Sequence, residues 1–117
     1  PDESLLEYGA RYEREVYDMV KVFLDAGADP NFKGNPGGRI LLIATDWNYK
    51  RYFKKNGWLP INYAIEENAF TIVDLLLEHG STLDETSLRN AEIASTAVND
   101  TAMLDYIRAK MKEKGLL

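Results

Sequence analysis

The chain has 117 residues, of which 45% are hydrophobic and 28% are charged, and its formal net charge is −5. This composition suits one globular domain and excludes an intrinsically disordered chain. The longest apolar run, residues 40–44, and shorter runs such as residues 75–77 fall far below the roughly 20 residues of a membrane-spanning helix, so we expect no membrane insertion. The absence of cysteine excludes disulfides and thiolate ligands and favours a cytoplasmic location.

Positive charge is concentrated in one segment of the chain. Residues 34–56 contain five basic residues and one acid, so they carry 5 − 1 = +4, and the remainder carries −5 − 4 = −9. An acidic body repels polyanions, which disfavours nucleic-acid binding unless this segment carries it.

The first predicted elements are two helices within residues 1–33. A short helix ends near Arg11 or Tyr12, and a second helix spans residues 15–26. The second helix has apolar residues at positions 19, 20, 22, 23 and 24, a stripe that predicts burial on most of its circumference. Gly27 suits the left-handed backbone just past a helix C-terminus, and residues 28–31, Ala-Asp-Pro-Asn, favour a turn.

The same pattern returns between residues 57 and 84. Pro60 suits the first turn of a helix, where its missing N–H is not needed, and residues 66–68 form a short turn. A second helix ending at Gly80 then repeats the apolar spacing that precedes Gly27. Further on, residues 86–98 and 100–114 predict a helical pair with charged outer faces, as a terminal repeat requires.

Two of these stretches resemble ankyrin repeats. Residues 24–31, Leu-Asp-Ala-Gly-Ala-Asp-Pro-Asn, resemble the end of a repeat. Residues 57–65 are similar to the family's G-x-T-P-L-H-x-A-A motif, with Leu59 in place of Thr and Asn62 in place of His. The resemblance implies an all-α repeat fold, an ankyrin-type helix-turn-helix stack of about three helix pairs with short β-hairpin finger turns. We divide the single domain into an N-terminal repeat (1–33), an insertion (34–56), a central repeat (57–84) and C-terminal capping helices (85–117).

The spacing of the two glycines predicts the insertion. Equivalent positions of neighbouring ankyrin repeats lie about 33 residues apart, whereas Gly27 and Gly80 lie 80 − 27 = 53 apart. The excess of roughly 20 residues is assigned to an elaborated finger in residues 34–56. In the alternative interpretation, residues 37–45 open a degenerate repeat whose second helix has been lost. We prefer the insertion because residues 31–33 join naturally to residues 56–58 once the segment is removed.

The insertion combines aromatic and basic residues, the types enriched at binding hot spots. In ankyrin proteins the partner lies against the finger tips and the first helices, and the resemblance transfers this role to Trp58, Tyr63 and Glu66, with both aromatics expected at the surface. We predict that a partner protein with an acidic surface is bound. The predicted patch comprises Trp47, Tyr49, Lys50, Arg51, Tyr52, Trp58, Tyr63 and Glu66. The competing interpretation is that Trp47, Tyr52 and Phe53 form a local core.

The predicted function is that of an adaptor, inhibitor or antagonist that occupies a partner protein and is monomeric when unbound. The alternative is single-stranded nucleic-acid binding through the insertion, where aromatic rings stack on bases and lysines contact phosphates. The protein is not expected to be an enzyme. His79, its one histidine, suits the C-terminus of a helix, and we predict no catalytic residue, metal site or cofactor.

Overall fold

A computed structural model describes residues 5–32 and 58–117 of the protein, with side chains from residue 13 onward. Five helices occupy these ranges, and no strand is present in them. The helices are α1 (Leu5–Asp25), α2 (Pro60–Glu66), α3 (Phe70–Glu78), α4 (Glu85–Val98) and α5 (Ala102–Glu113). The described part of the chain is therefore all-α, as the sequence predicted, while the insertion and the hairpin expected ahead of α2 lie outside the described residues.

The N-terminal helix α1 is continuous over 21 residues. The prediction of two helices separated between residues 12 and 15 was wrong, because a single helix spans this region. Residues 11–15, Arg-Tyr-Glu-Arg-Glu, contain neither glycine nor proline, and four of the five are good helix formers. No residue in this stretch favours ending the helix. The helix therefore continues to Asp25, and Val16, Val20 and Leu24 on its later turns are buried in the core.

Every described helix ends in the same local structure, a Schellman motif in which one residue just past the helix has a positive φ and the residue after it closes the turn. Gly27 (φ 97°) and Gly80 (φ 91°) occupy this position after α1 and α3, as predicted. The next residue closes each turn: Ala28 N–H donates to the Phe23 carbonyl (2.9 Å), and Ser81 N–H donates to the Leu76 carbonyl (2.9 Å). The corresponding residues after the other three helices are Asn68, Asn99 and Gly115.

The helices pack in two layers. Helix α2 packs on α3, and α4 on α5, which gives two helix pairs; α1 packs on α3, and α2 on α4. A ring contact between Phe70 of α3 and Tyr106 of α5, with centroids 5.8 Å apart, joins the second helices of the two pairs. One layer therefore contains α1, α3 and α5, and the other contains α2 and α4.

The hydrophobic core lies between the layers and includes almost all of α2, which is buried from Pro60 to Ile65. The apolar stripe of α1 is only partly buried. Val20 and Leu24 lie in the core, but Met19 and Val22 are 45% and 64% exposed, although the sequence predicted both to be buried. The prediction failed because burial of a stripe requires a neighbour on each side, and no described helix covers this side of α1.

Within residues 5–32 and 58–117, none of the helices combines the length and the apolar character required to cross a bilayer.

Candidate functional site

Three aromatic side chains meet where the chain re-enters the described structure at residue 58. Tyr63 of α2 is completely buried, and Phe32 and Trp58 pack against it. The rings of Trp58 and Tyr63 have centroids 5.1 Å apart and are inclined by 46°. Trp58 and Phe32 are each only half-buried. A buried tyrosine therefore holds two partly accessible aromatic rings at the two ends of segment 33–57.

This arrangement corrects the predicted position of Tyr63. Tyr63 was predicted to lie at the surface, but its side chain is 0% exposed and cannot touch a partner directly. The physical reason is that α2 presents almost every residue to the core, so even the position that faces outward in a regular repeat is enclosed, here by Phe32 and Trp58. Tyr63 can only position Trp58.

The other predicted site residues divide into two groups. Trp58 and Glu66 are half-buried, and they lie just before α2 and at its last residue. Trp47, Tyr49, Lys50, Arg51 and Tyr52 lie outside the described residues. Of the predicted site residues that the structure describes, Trp58 is the one aromatic side chain that is both partly accessible and supported by a buried ring. Such supported aromatic rings are the usual anchors of protein interfaces.

A buried polar network lies behind this cluster, on the side of α2 that faces α4. The Asn62 side chain donates to Asp84 Oδ1 (2.9 Å) and accepts from the Ser87 hydroxyl (2.6 Å). Asn90 Nδ2 donates to the backbone carbonyl of Asn62 (2.8 Å). Asn62, Ser87 and Asn90 are completely buried, so these bonds replace water in an apolar setting, where an unpaired polar group is costly.

The network also begins helix α4. The Ser87 N–H donates to Asp84 Oδ1 (3.1 Å), and the Asp84 N–H donates to the Ser87 hydroxyl (2.9 Å), which makes a reciprocal capping box. The helix was predicted to begin at residue 86, and the network was not predicted. Its signal was the pattern Asp84-x-x-Ser87 ahead of an apolar run, together with the same-face polar residue Asn90 three positions later.

The turns that follow α1 and α3 are joined by one side chain. Asn31 Oδ1 accepts from the Thr82 N–H (2.8 Å), and Asn31 Nδ2 donates to the Gly80 carbonyl (3.1 Å). The two turns are the equivalent positions of the internal repeat, 53 residues apart by sequence. Asn31 therefore fixes the spacing of the two repeated units.

The layer of α1, α3 and α5 carries an acidic groove of about 820 Å³ between α1 and α3. Five acidic residues and one basic residue line it. Two of its carboxylates already accept hydrogen bonds, because the Thr71 hydroxyl donates to Glu13 Oε1 (2.7 Å) and the Tyr106 hydroxyl donates to Asp74. Burial, reinforced by Asp74, raises the pKa of Tyr106 above its usual range. The lining residues are Glu13, Arg14, Glu15, Tyr17, Asp18, Thr71, Asp74, Leu75 and Glu78.

His79 lies at the C-terminus of α3, as predicted. Its Nδ1 is 3.0 Å from the Leu75 carbonyl oxygen, and its Nε2 is 3.5 Å from Asp25 Oδ1 at the end of α1. Both contacts secure helix ends. Among the described residues no group of three or more histidine or acidic side chains is arranged to hold a metal ion.

The chain gave no match to any protein-family model, to any curated protein or to any solved structure. The resemblance to ankyrin repeats therefore rests on the motifs in residues 24–31 and 57–65.

Proposed function

We propose that this chain is a protein-binding module, built as a short ankyrin-type stack, which binds an acidic surface of a partner protein through the insertion at residues 34–56 and through Trp58. The single observation that carries the proposal is the position of Trp58. Its half-accessible ring rests on the buried ring of Tyr63, next to the basic and aromatic segment. A supported ring binds with little loss of side-chain entropy.

The repeat architecture of the described residues supports the ankyrin part of the proposal. The turns at Gly27 and Gly80 have the same hydrogen bonds and the same sign of φ, and Asn31 joins them. The two helix pairs share a continuous core, which is how stacked repeats stabilise one another. In such a stack the partner lies against the fingers and the first helices, and here that surface includes Trp58 at the start of α2.

The charge distribution favours an acidic partner. The insertion carries +4, while the rest of the chain carries −9, so an acidic ligand is attracted to the insertion and repelled elsewhere. Such a distribution orients the encounter and makes the association rate sensitive to salt. The module acts by occupancy, as an adaptor, inhibitor or antagonist, and the absence of cysteine fits a reducing compartment such as the cytoplasm.

The test is an affinity capture from the native lysate with matched variants. One variant carries Trp47→Ala, Tyr49→Ala, Arg51→Ala and Trp58→Ala. A second variant carries only the first three of these substitutions, so that it keeps Trp58 and the aromatic cluster behind it. The control has four exposed substitutions on α4 and α5, Arg89→Ala, Ile93→Ala, Arg108→Ala and Lys112→Ala. Circular dichroism establishes that each protein keeps its helices.

We expect the intact domain and the control to capture the same protein, the second variant to capture it weakly and the first variant to lose it. Equal capture by all four would exclude the patch as the interface. A captured oligonucleotide that survives about 0.3 M salt would instead support single-stranded nucleic-acid binding, since phosphate contacts alone weaken steeply with salt.

A further inference from the structure

Helix α1 carries an exposed apolar face, and the equivalent face of α3 is buried. The 53-residue offset of the internal repeat matches Met19 with Ile72 and Val22 with Leu75. Ile72 and Leu75 are 0% and 3% exposed, whereas Met19 and Val22 are largely exposed. The sequence thus places the same apolar positions on both helices, but only α3 has them covered. Met19 and Val22 are called the open face of α1 from here on.

The neighbouring helix explains the difference. Leu75 lies at the contact between α3 and α1, so α1 itself covers that side of α3. No described helix stands in the same relation to α1. Two adjacent apolar side chains on an otherwise charged helix surface are a suitable centre for a helix-helix contact.

A row of alternating charges follows one edge of the open face. Arg14, Asp18, Lys21 and Asp25 are all exposed, and their spacing of four, three and four residues keeps them on one side of the helix. Within the chain, Lys21 Nζ contacts Asp25 Oδ2 at 3.0 Å. This charged edge runs positive, negative, positive, negative along α1.

The charged edge is complementary to itself when a second α1 runs antiparallel. With a twofold axis midway between Met19 and Val22, Arg14 is displaced from Asp25 of the second copy by two residues, about 3 Å along the helix. Asp18 is displaced from Lys21 of the second copy by the same two residues, about 3 Å. In a parallel arrangement the twofold axis runs along the helices and places the two charged edges on opposite sides of the contact, where they do not meet. The alternation therefore selects one orientation.

We propose that the open face of α1 is a self-association surface, on which a second copy of this chain docks with its own α1 antiparallel. Met19 and Val22 of both copies form the apolar centre, and the charged edges pair across it. The surface is isologous, as in most homodimers, because the same residues serve both copies. It shares no residue with the proposed partner site, and it predicts a weak dimer in place of the monomer expected from the sequence.

The test measures mass against concentration by analytical ultracentrifugation, first for the wild type, for Val22→Glu and for Ile93→Glu. Ile93 is a matched control, because it is 48% exposed on α4 and has no role in the proposed contact. We expect the wild type and Ile93→Glu to approach twice the monomer mass at high concentration. In Val22→Glu, the dimer dissociation constant should rise roughly tenfold or more.

Charge exchange tests whether the two charged edges meet across the contact. One variant makes the charged edge acidic, with Arg14→Asp and Lys21→Asp, and another makes it basic, with Asp18→Lys and Asp25→Lys. Each variant alone should be monomeric, and an equimolar mixture should form a heterodimer that weakens in high salt. A wild type that stays monomeric at every concentration, a dimer that persists in Val22→Glu, or a mixture that does not associate would each overturn the proposal. Circular dichroism of each variant excludes loss of folding as the cause.

Discussion

Substitution of Asn62 by alanine should destabilise the domain more than any change on its charged surface. The substitution removes the bond to the Asp84 carboxylate and the bond from the Ser87 hydroxyl, both at a side chain that is 0% exposed. A buried bond between neutral groups contributes about 1 kcal/mol, and one to a charged group contributes about 1.5–3 kcal/mol. The free energy of unfolding should therefore fall by about 2.5–4 kcal/mol, a large part of the roughly 5–15 kcal/mol typical of a domain.

Urea unfolding followed by far-ultraviolet circular dichroism measures this loss. With an m-value of about 1.5 kcal/mol/M, the midpoint should shift down by about 2 M urea while the slope stays unchanged. The control is Thr96→Ala, which removes an exposed 3.1 Å bond from the Thr96 hydroxyl to the Glu92 carbonyl. That variant should change stability by no more than about 0.5 kcal/mol.

A double-mutant cycle separates the network from simple loss of packing. Ser87→Ala removes the same bond from the other side, so the combined variant should lose less than the sum of the two single variants, by about 0.5–3 kcal/mol. The network would be unimportant for stability if Asn62→Ala cost less than about 1 kcal/mol, or if the two substitutions were additive.

Two further predictions concern the ends of helices α1 and α3. Gly80→Ala should lower the free energy of unfolding by about 1–2 kcal/mol through backbone strain alone, because Gly80 has φ 91° and no atom lies within 4 Å of an added Cβ. In the same urea titration Gly115→Ala should lower it by less, since the last turn of the chain can fray. An equal loss at both sites would contradict this explanation. Asp25→Asn should lower the melting temperature at pH 6, and by progressively less as the pH falls below about 4. A hydrogen bond from Lys21, aided by His79, holds the pKa of Asp25 below its ordinary value of 3.8, so the carboxylate stabilises the folded state above about pH 4, and this contribution disappears as the pH falls through the pKa of the folded state. A difference in melting temperature that did not vary with pH would show that the Asp25 charge is not responsible.

Helix ends and turns, which depend on a few neighbouring residues, could be predicted from the sequence. Gly27 and Gly80 have the left-handed backbone expected of them, and Pro60 begins a helix. The two C-terminal helices begin and end within two residues of their predicted limits. Helix termini depend on capping within a single turn, which is why a short motif is enough to locate them.

Features that depend on packing partners could not be predicted in the same way. The enclosure of Tyr63 depends on Phe32 and Trp58, which lie 31 and five residues away. The exposure of Met19 and Val22 reflects which helices surround α1, and an apolar stripe does not carry that information. The role of Asn62 depends on Asp84 and Ser87, which belong to the following helix pair. The insertion residues of the predicted site stay a prediction.

The aromatic contact at Tyr63 has a consequence for how this domain can vary. Phe32 and Trp58 pack on the same buried ring, so the residues that flank segment 33–57 lie next to each other. A segment grafted between two ends that already meet leaves the path of the helices unchanged. For a flexible replacement, each doubling of length adds only about 0.6 kcal/mol of loop entropy. The helices can therefore serve as a constant frame on which natural variation or engineering exchanges one recognition segment for another.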